Sequence, residues 1–176
     1  MKQSLLLLSS LLILLLILSQ PACAKSDGGF GIYLADSGEQ VLSLEHIKAY
    51  HSLDYSFELN ANGIEHWNSF QTSTSVPKLA QSLFNQEFII KINWAELCRG
   101  KFYSLVSSAT YDGIVILDSI MKLDSEHDSI KLDFGYPPSF ASAPLAADAQ
   151  RITAGLDSFF SGKHLLAADA GWWFGA

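Results

Sequence analysis

Imidazole is the side chain best suited to moving a proton or holding a metal near neutral pH. The chain carries five: His46, His51, His66, His127 and His164. A helical zinc site needs two histidines at i and i+4, so that both ring nitrogens point to one side. No such pair occurs. His46 and His51 are five residues apart, straddling the end of an expected helix, and His66 follows Glu65 on a solvent-facing stretch. The spacing predicts scattered surface histidines, with no metal and no cofactor.

Hydroxyl and carboxylate groups give the other reactive candidates. The stretch Ser107-Ser-Ala-Thr-Tyr-Asp-Gly-Ile-Val-Ile-Leu117 runs small hydroxyl residues into an apolar segment. A catalytic serine needs a histidine base within hydrogen-bond reach and an oxyanion site. Neither Ser107 nor Ser108 lies in a Gly-x-Ser-x-Gly elbow. The stretch therefore reads as structural, with Asp112-Gly113 as a turn. Ile114 to Leu117, apolar on both faces, reads as a central strand. Glu58, Asp112 and Asp118 have no spacing that would place two carboxylates in one cleft. In Asp124-Ser-Glu-His-Asp-Ser129, the alternating Asp124, Glu126 and Asp128 are the candidate cation loop. That loop lacks the glycine and the terminal glutamate of a helix-loop-helix calcium site, so it reads as a solvated hairpin turn.

Aromatic residues offer contact chemistry. Trp67, Trp94 and Tyr103 are types that line grooves and equally fill cores, and Trp94 and Tyr103 are the candidates for touching a ligand. The end of the chain, Gly171-Trp-Trp-Phe-Gly-Ala176, gathers Trp172, Trp173 and Phe174. An exposed cluster of that size is costly, so it is expected to dock on its own domain, a partner or a membrane interface.

What must position these groups begins after a leader. Lys2 precedes an apolar run from Leu5 to Leu18, and Ala22-Cys23-Ala24 supplies a small-x-small site. Some 20 apolar residues are needed to span a bilayer, so residues 1–24 read as a signal peptide. An uncleaved leader would make the segment an anchor instead. Lipidation of Cys23 is disfavoured by Gln20, where leucine is usual. The expected location is extracytoplasmic, periplasmic or secreted, with no membrane span once the leader is cleaved.

Removing Lys2 with the leader takes the net charge from −7 to −8. Such a chain lacks the field that attracts phosphates, which excludes nucleic acid as a partner and disfavours anionic lipid. Cys98 is then the sole cysteine and has no internal disulfide partner. It is expected to be a buried small hydrophobe.

Residues 25–29 read as a flexible linker, 30–134 as an α+β core, and 135–176 as a Pro/Ala-rich connection, a helix and the aromatic tail. Phe30, Ile32 and Leu34 alternate as a strand face, as do Tyr55, Phe57 and Leu59. Ser43 is expected to cap a short helix over Leu44 to Tyr50, and Asn60 one carrying Ile64, Trp67 and Phe70. Phe88, Ile90, Ile92 and Trp94 share one face of a strand that turns through Glu96 to Gly100 and returns over Phe102 to Ser107. Ile120, Met121 and Leu123 are expected to face Ile130, Leu132 and Phe134 in a second hairpin. Leu145, Ala149, Ile152, Leu156, Phe159 and Phe160 form the apolar stripe of a helix that stops at Gly162. The fold class is α+β: one domain with a small mixed or antiparallel sheet of about five to seven strands and two or three packed helices.

Leu44-Glu-His-Ile-Lys-Ala-Tyr50, Asn62-Gly-Ile-Glu-His-Trp67 and Glu87-Phe-Ile-Ile-Lys-Ile-Asn93 follow one another in that order of elements. This half of the chain resembles the extracytoplasmic head module of SecD-type translocase subunits and their free-standing secreted relatives. The resemblance implies a compact α+β scaffold and carries over no catalytic residue. It departs in having no membrane-spanning helices after the leader, so translocase activity does not transfer. The expectation is a non-catalytic binding module for a protein or small-molecule ligand. The alternative is a small extracytoplasmic hydrolase whose histidines and acids meet only in the fold.

Overall fold

The computed structural model describes residues 29–70, 83–104, 107–118 and 122–168. Among them are strands β1 (Phe30–Leu34), β2 (Gln40–Ser43), β3 (Ile47–His51), β4 (Ser56–Leu59), β5 (Glu87–Ile92), β6 (Ala95–Ser104), β7 (Tyr111–Asp118) and β8 (Ser129–Tyr136). The helices are α1 (Ala61–Ser69) and α2 (Ala143–Gly162), with 3-10 turns at Leu44–His46 and Pro138–Phe140. The strands form one sheet in the order β2-β1-β5-β6-β7-β8-β4-β3. Every neighbour is antiparallel except the β6/β7 pair, where Lys101 lies opposite Val115 and Ser104 opposite Asp118. That seam divides the sheet into two antiparallel halves of four strands.

β2 and β3 stand at opposite ends of the sheet, yet only Leu44–His46 separates them in sequence. So short a link forces the sheet to curl until its ends meet. Apolar side chains at alternate positions line the inside. Phe30 lies opposite Ile92, Ile32 opposite Ile90, Phe102 opposite Ile116, and Phe57 opposite Ile130. The expected central strand is confirmed in β7, where Val115 and Ile116, pointing to opposite faces, are both fully buried.

The two helices pack into this curl. Asn60 caps α1 as expected, its side chain accepting from the Gly63 amide at 3.0 Å. Trp67 of α1 meets Phe102 edge-on, with ring centroids 6.0 Å apart. Ser142 caps α2, and the expected stripe buries Leu145, Ile152, Leu156 and Phe160. Phe160 sits 5.1 Å from the rings of both Phe30 and Tyr50 and 5.9 Å from Phe57. Beyond the helix, the Tyr50 N–H donates to Leu165 O at 2.8 Å, and the Ala167 N–H donates to Tyr50 O at 2.8 Å. Tyr50 and Leu166 thus form a parallel bridge that covers the free edge of β3.

Several local expectations are corrected. Eight strands replace five to seven, because β2 forms in a stretch given no element and β3 in the region read as helix. Ile47 and Tyr50 are three apart, which is a helical spacing. A bulge between Ile47 and Ala49 turns both inward from a strand instead. The β5–β6 turn is Asn93-Trp94, both left-handed at φ 50° and 69°, a two-residue hairpin turn. It is not Glu96 to Gly100. Gly100 lies inside β6, where a Cβ would come within 2.4 Å of Ile114 O. Asp112-Gly113 lies within β7 at an irregularity in its pairing with β8. Leu123 lies outside any strand and β8 pairs with β7, while Ile120 and Met121 fall outside the described residues.

Candidate ligand-binding grooves

The histidines divide into one unexpected cluster and three separate groups. His46, at the end of the 3-10 turn, stacks on His66 of α1 with 4.6 Å between ring centroids and 27° between planes. His46 Nδ1 lies 3.2 Å from the Ser43 N–H, which donates to it, and 3.3 Å from Ser43 Oγ. Ser43 Oγ donates to Glu45 Oε1 at 3.3 Å. His66 Nε2 lies 3.2 Å from Gln40 O. Burial, the neighbouring His66 and, in opposition, Glu45 combine to lower the pKa of His46. A hydroxyl, an imidazole and a carboxylate are therefore in contact. Yet the carboxylate touches the hydroxyl rather than the ring, and the imidazole nitrogen already accepts a backbone amide. This is the geometry of a capped turn, not of a relay toward a nucleophile.

The other histidines lie apart. His51 Nε2 is 3.4 Å from Glu58 Oε2, and Lys48 also bonds Glu58, holding its carboxyl below the usual range. His127 Nδ1 is 3.3 Å from Asp124 Oδ1. His164 follows α2 with a left-handed backbone. Asp112 Oδ1 accepts the Ser142 amide at 3.1 Å, just before α2. Asp124 Oδ1 accepts the amides of Glu126 and His127, both at 2.9 Å, and these bonds lower its pKa. Among the described residues, no three His, Cys, Asp or Glu side chains are placed to share a metal ion.

The aromatic candidates separate as well. Trp94, expected on the face of Phe88, is instead carried out by the hairpin turn and is 62% exposed. Tyr103 is buried, 4.8 Å from the ring of Tyr136 and 5.9 Å from that of Tyr111. Its hydroxyl donates to Ala109 O at 3.0 Å and accepts from Ser107 Oγ at 3.2 Å. Tyr103 thus braces the crossover into β7 rather than meeting solvent. Trp172, Trp173 and Phe174 lie outside the described residues. Cys98 is buried as expected, and burial pushes its thiol up to about 12.

Two of the grooves among the described residues combine aromatic walls with polar groups that a ligand could meet. The first, about 290 Å³, runs beneath Trp94 across β5, β1 and β2. The Tyr33 ring lies flat over Gly31, where a Cβ would approach it to 2.6 Å. The Lys91 ammonium sits 5.1 Å from the same ring centroid, and Gln40 Nε2 donates to Tyr33 Oη at 3.1 Å. Ser43 and Glu45 close the rim. Tyr33, Gln40 and Lys91 were not singled out from the sequence. The signal was Gly31 two residues before an aromatic on one strand face, but strand pairing alone brings Lys91 and Gln40 beside it.

The second groove, about 770 Å³, lies between α2, β8 and the β3–β4 turn. Leu53, 79% exposed, stands at one end. Tyr55 and Phe134 meet edge-on at 5.3 Å along one wall, and Ala146, Ala149 and Ala154 of α2 form the other. Asp157, which lines this groove, has Oδ1 buried without a hydrogen-bond partner among the described residues, and the Tyr50 hydroxyl, in the core nearby, is buried in the same way. Burial and then the Asp157 charge raise the Tyr50 phenol well above its ordinary value.

Fold and grooves together define a single-domain α+β protein built on a curled mixed sheet. No family model, curated protein or solved structure matches the chain. Among the described residues, no helix is long and apolar enough to cross a membrane.

Proposed function

We propose that the chain is exported and acts outside the cytoplasm as a non-catalytic binding module, with the Trp94 groove as its contact surface. One observation carries the reading. Trp94 holds a large ring in solvent from a left-handed backbone position that costs a non-glycine residue about 1–2 kcal/mol. The tight turn accounts for the backbone, and what is left is an exposed indole at the rim of a groove, the residue type most enriched at binding hot spots. An indole face beside Tyr33 suits a flat apolar surface, and Gln40, Lys91, Ser43 and Glu45 supply donors and acceptors around it. The ligand class that fits is a sugar ring, apolar on its C–H face and ringed by hydroxyls. On this reading the likeness to SecD-type head modules is one of scaffold.

Fluorescence titration with a panel of neutral and amino-sugar oligosaccharides tests the site. The parent should show saturable quenching that Trp94→Ala abolishes without altering the circular dichroism. Quenching by no sugar, or equal quenching in Trp94→Ala, would overturn the assignment. Export has its own check: mass spectrometry of the protein from the extracytoplasmic fraction should find Lys25 at the N-terminus, and a retained Met1 would contradict cleavage.

A further inference from the structure

The chain leaving α2 is aimed at the mouth of the larger groove. The bonds from Tyr50 N–H to Leu165 O and from Ala167 N–H to Tyr50 O fix residues 165–167 parallel to β3. Continuing that register sets Ala168 beside Ser52, one residue before Leu53. Leu53, Asp54 and Tyr55 form the near end of the groove. The groove then follows α2 backwards from Asp157 to Ala146, a helical length of roughly 17 Å. Residues 169–176 follow Ala168, and an extended chain covers about 3.3 Å per residue, so their reach of roughly 26 Å exceeds the groove.

We propose that Trp172, Trp173 and Phe174 occupy this groove of their own chain. The chemistry of the two surfaces matches. Ala146, Ala149 and Ala154 leave space opposite Tyr55 and Phe134 for flat rings. An indole N–H is a donor with no acceptor, and Asp157 Oδ1 is a buried acceptor with no partner. Asp54 and Asp133 add carboxylates along the same walls. The three aromatic residues carry no charge to set against those acids. Asp169, the one charged side chain in the segment, follows Ala168 directly and falls at the mouth. The proposal is independent of the Trp94 groove, which lies across β5, β1 and β2.

Chymotrypsin cuts after exposed Trp and Phe, so digestion of the purified full-length chain, followed by mass spectrometry, reads the docking. Trp172 to Phe174 should resist cleavage in the parent. Ala149→Trp fills the groove midway and should speed that cleavage at least tenfold with the circular dichroism unchanged. Equal rates in the two folded proteins would overturn the proposal. Should Ala149→Trp fail to fold, Trp172→Ala with Trp173→Ala provides the second measurement. It should shift the NMR signals of Ala149, Thr153 and Phe134, and unchanged signals would overturn it. Protection that rises with protein concentration would place the segment in a second copy and equally overturn the intramolecular assignment.

Discussion

His46 and His66 stack ring on ring at 4.6 Å where the two ends of the sheet are joined. His46 closes the 3-10 turn that links β2 to β3, and His66 reaches from α1 to Gln40 O on β2. The stack therefore ties helix, turn and edge strand together. It works with His46 neutral, because Nδ1 must keep a lone pair to accept the Ser43 amide.

That requirement gives the fold a pH dependence. Burial first, then the facing His66, hold the His46 pKa below the imidazole value, with Glu45 opposing. The unfolded chain binds the proton more readily, so stability is full above the ordinary imidazole value and is lost as pH falls through the folded value. Thermal melts should show a decline that sets in as pH falls below the ordinary imidazole value, about 6.5. His66→Phe keeps a ring against His46 but removes the second charge, and should make the decline shallower. Identical pH profiles would show that the stack is electrically idle.

Gly63 is the next point of pressure. A Cβ on it would lie 2.5 Å from His46 O and 3.0 Å from His46 Cβ. Alanine would gain up to about 1 kcal/mol of helix propensity, but backbone stands in its way. Gly63→Ala should lose roughly 1–3 kcal/mol overall, measured as a lower urea midpoint at unchanged slope. A stabilised variant would mean that α1 does not press on the turn.

The loop Asp124 to Ser129 should hold itself without calcium. Asp124 Oδ1 already accepts two backbone amides, which an asparagine oxygen can also do. Asp124→Asn with Asp128→Asn should melt as the parent does, with excess calcium or with chelator. A calcium-dependent rise above roughly 2 °C in the parent alone, about 1 kcal/mol in a domain of this size, would identify a cation site there.

Legibility followed distance along the chain. The α2 stripe and the alternation in β1 were readable because each element carries its own period over enough residues. β3 misled because one bulge converts period two into a three-residue step between Ile47 and Tyr50. Trp94 misled because the Phe88, Ile90, Ile92 pattern runs unbroken into a residue that the turn rotates outward. Tyr33, Gln40 and Lys91 come from three strands, so no local pattern joins them. The His46–His66 pair spans 20 positions and exists only because α1 folds back over the turn.

Each half of the sheet on either side of the β6/β7 seam draws on two distant segments: residues 30–43 with 87–104 on one side, and 47–59 with 111–136 on the other. The chain changes sides after β2, after β4 and after β6. Neither half is built from one uninterrupted run of strands, because two strands of the other half lie within each. Denaturation should accordingly be a single all-or-none transition. Renaturation should be slow, as expected of a topology dominated by remote pairings. The same threading means that a cut anywhere between β3 and β6 divides both halves at once.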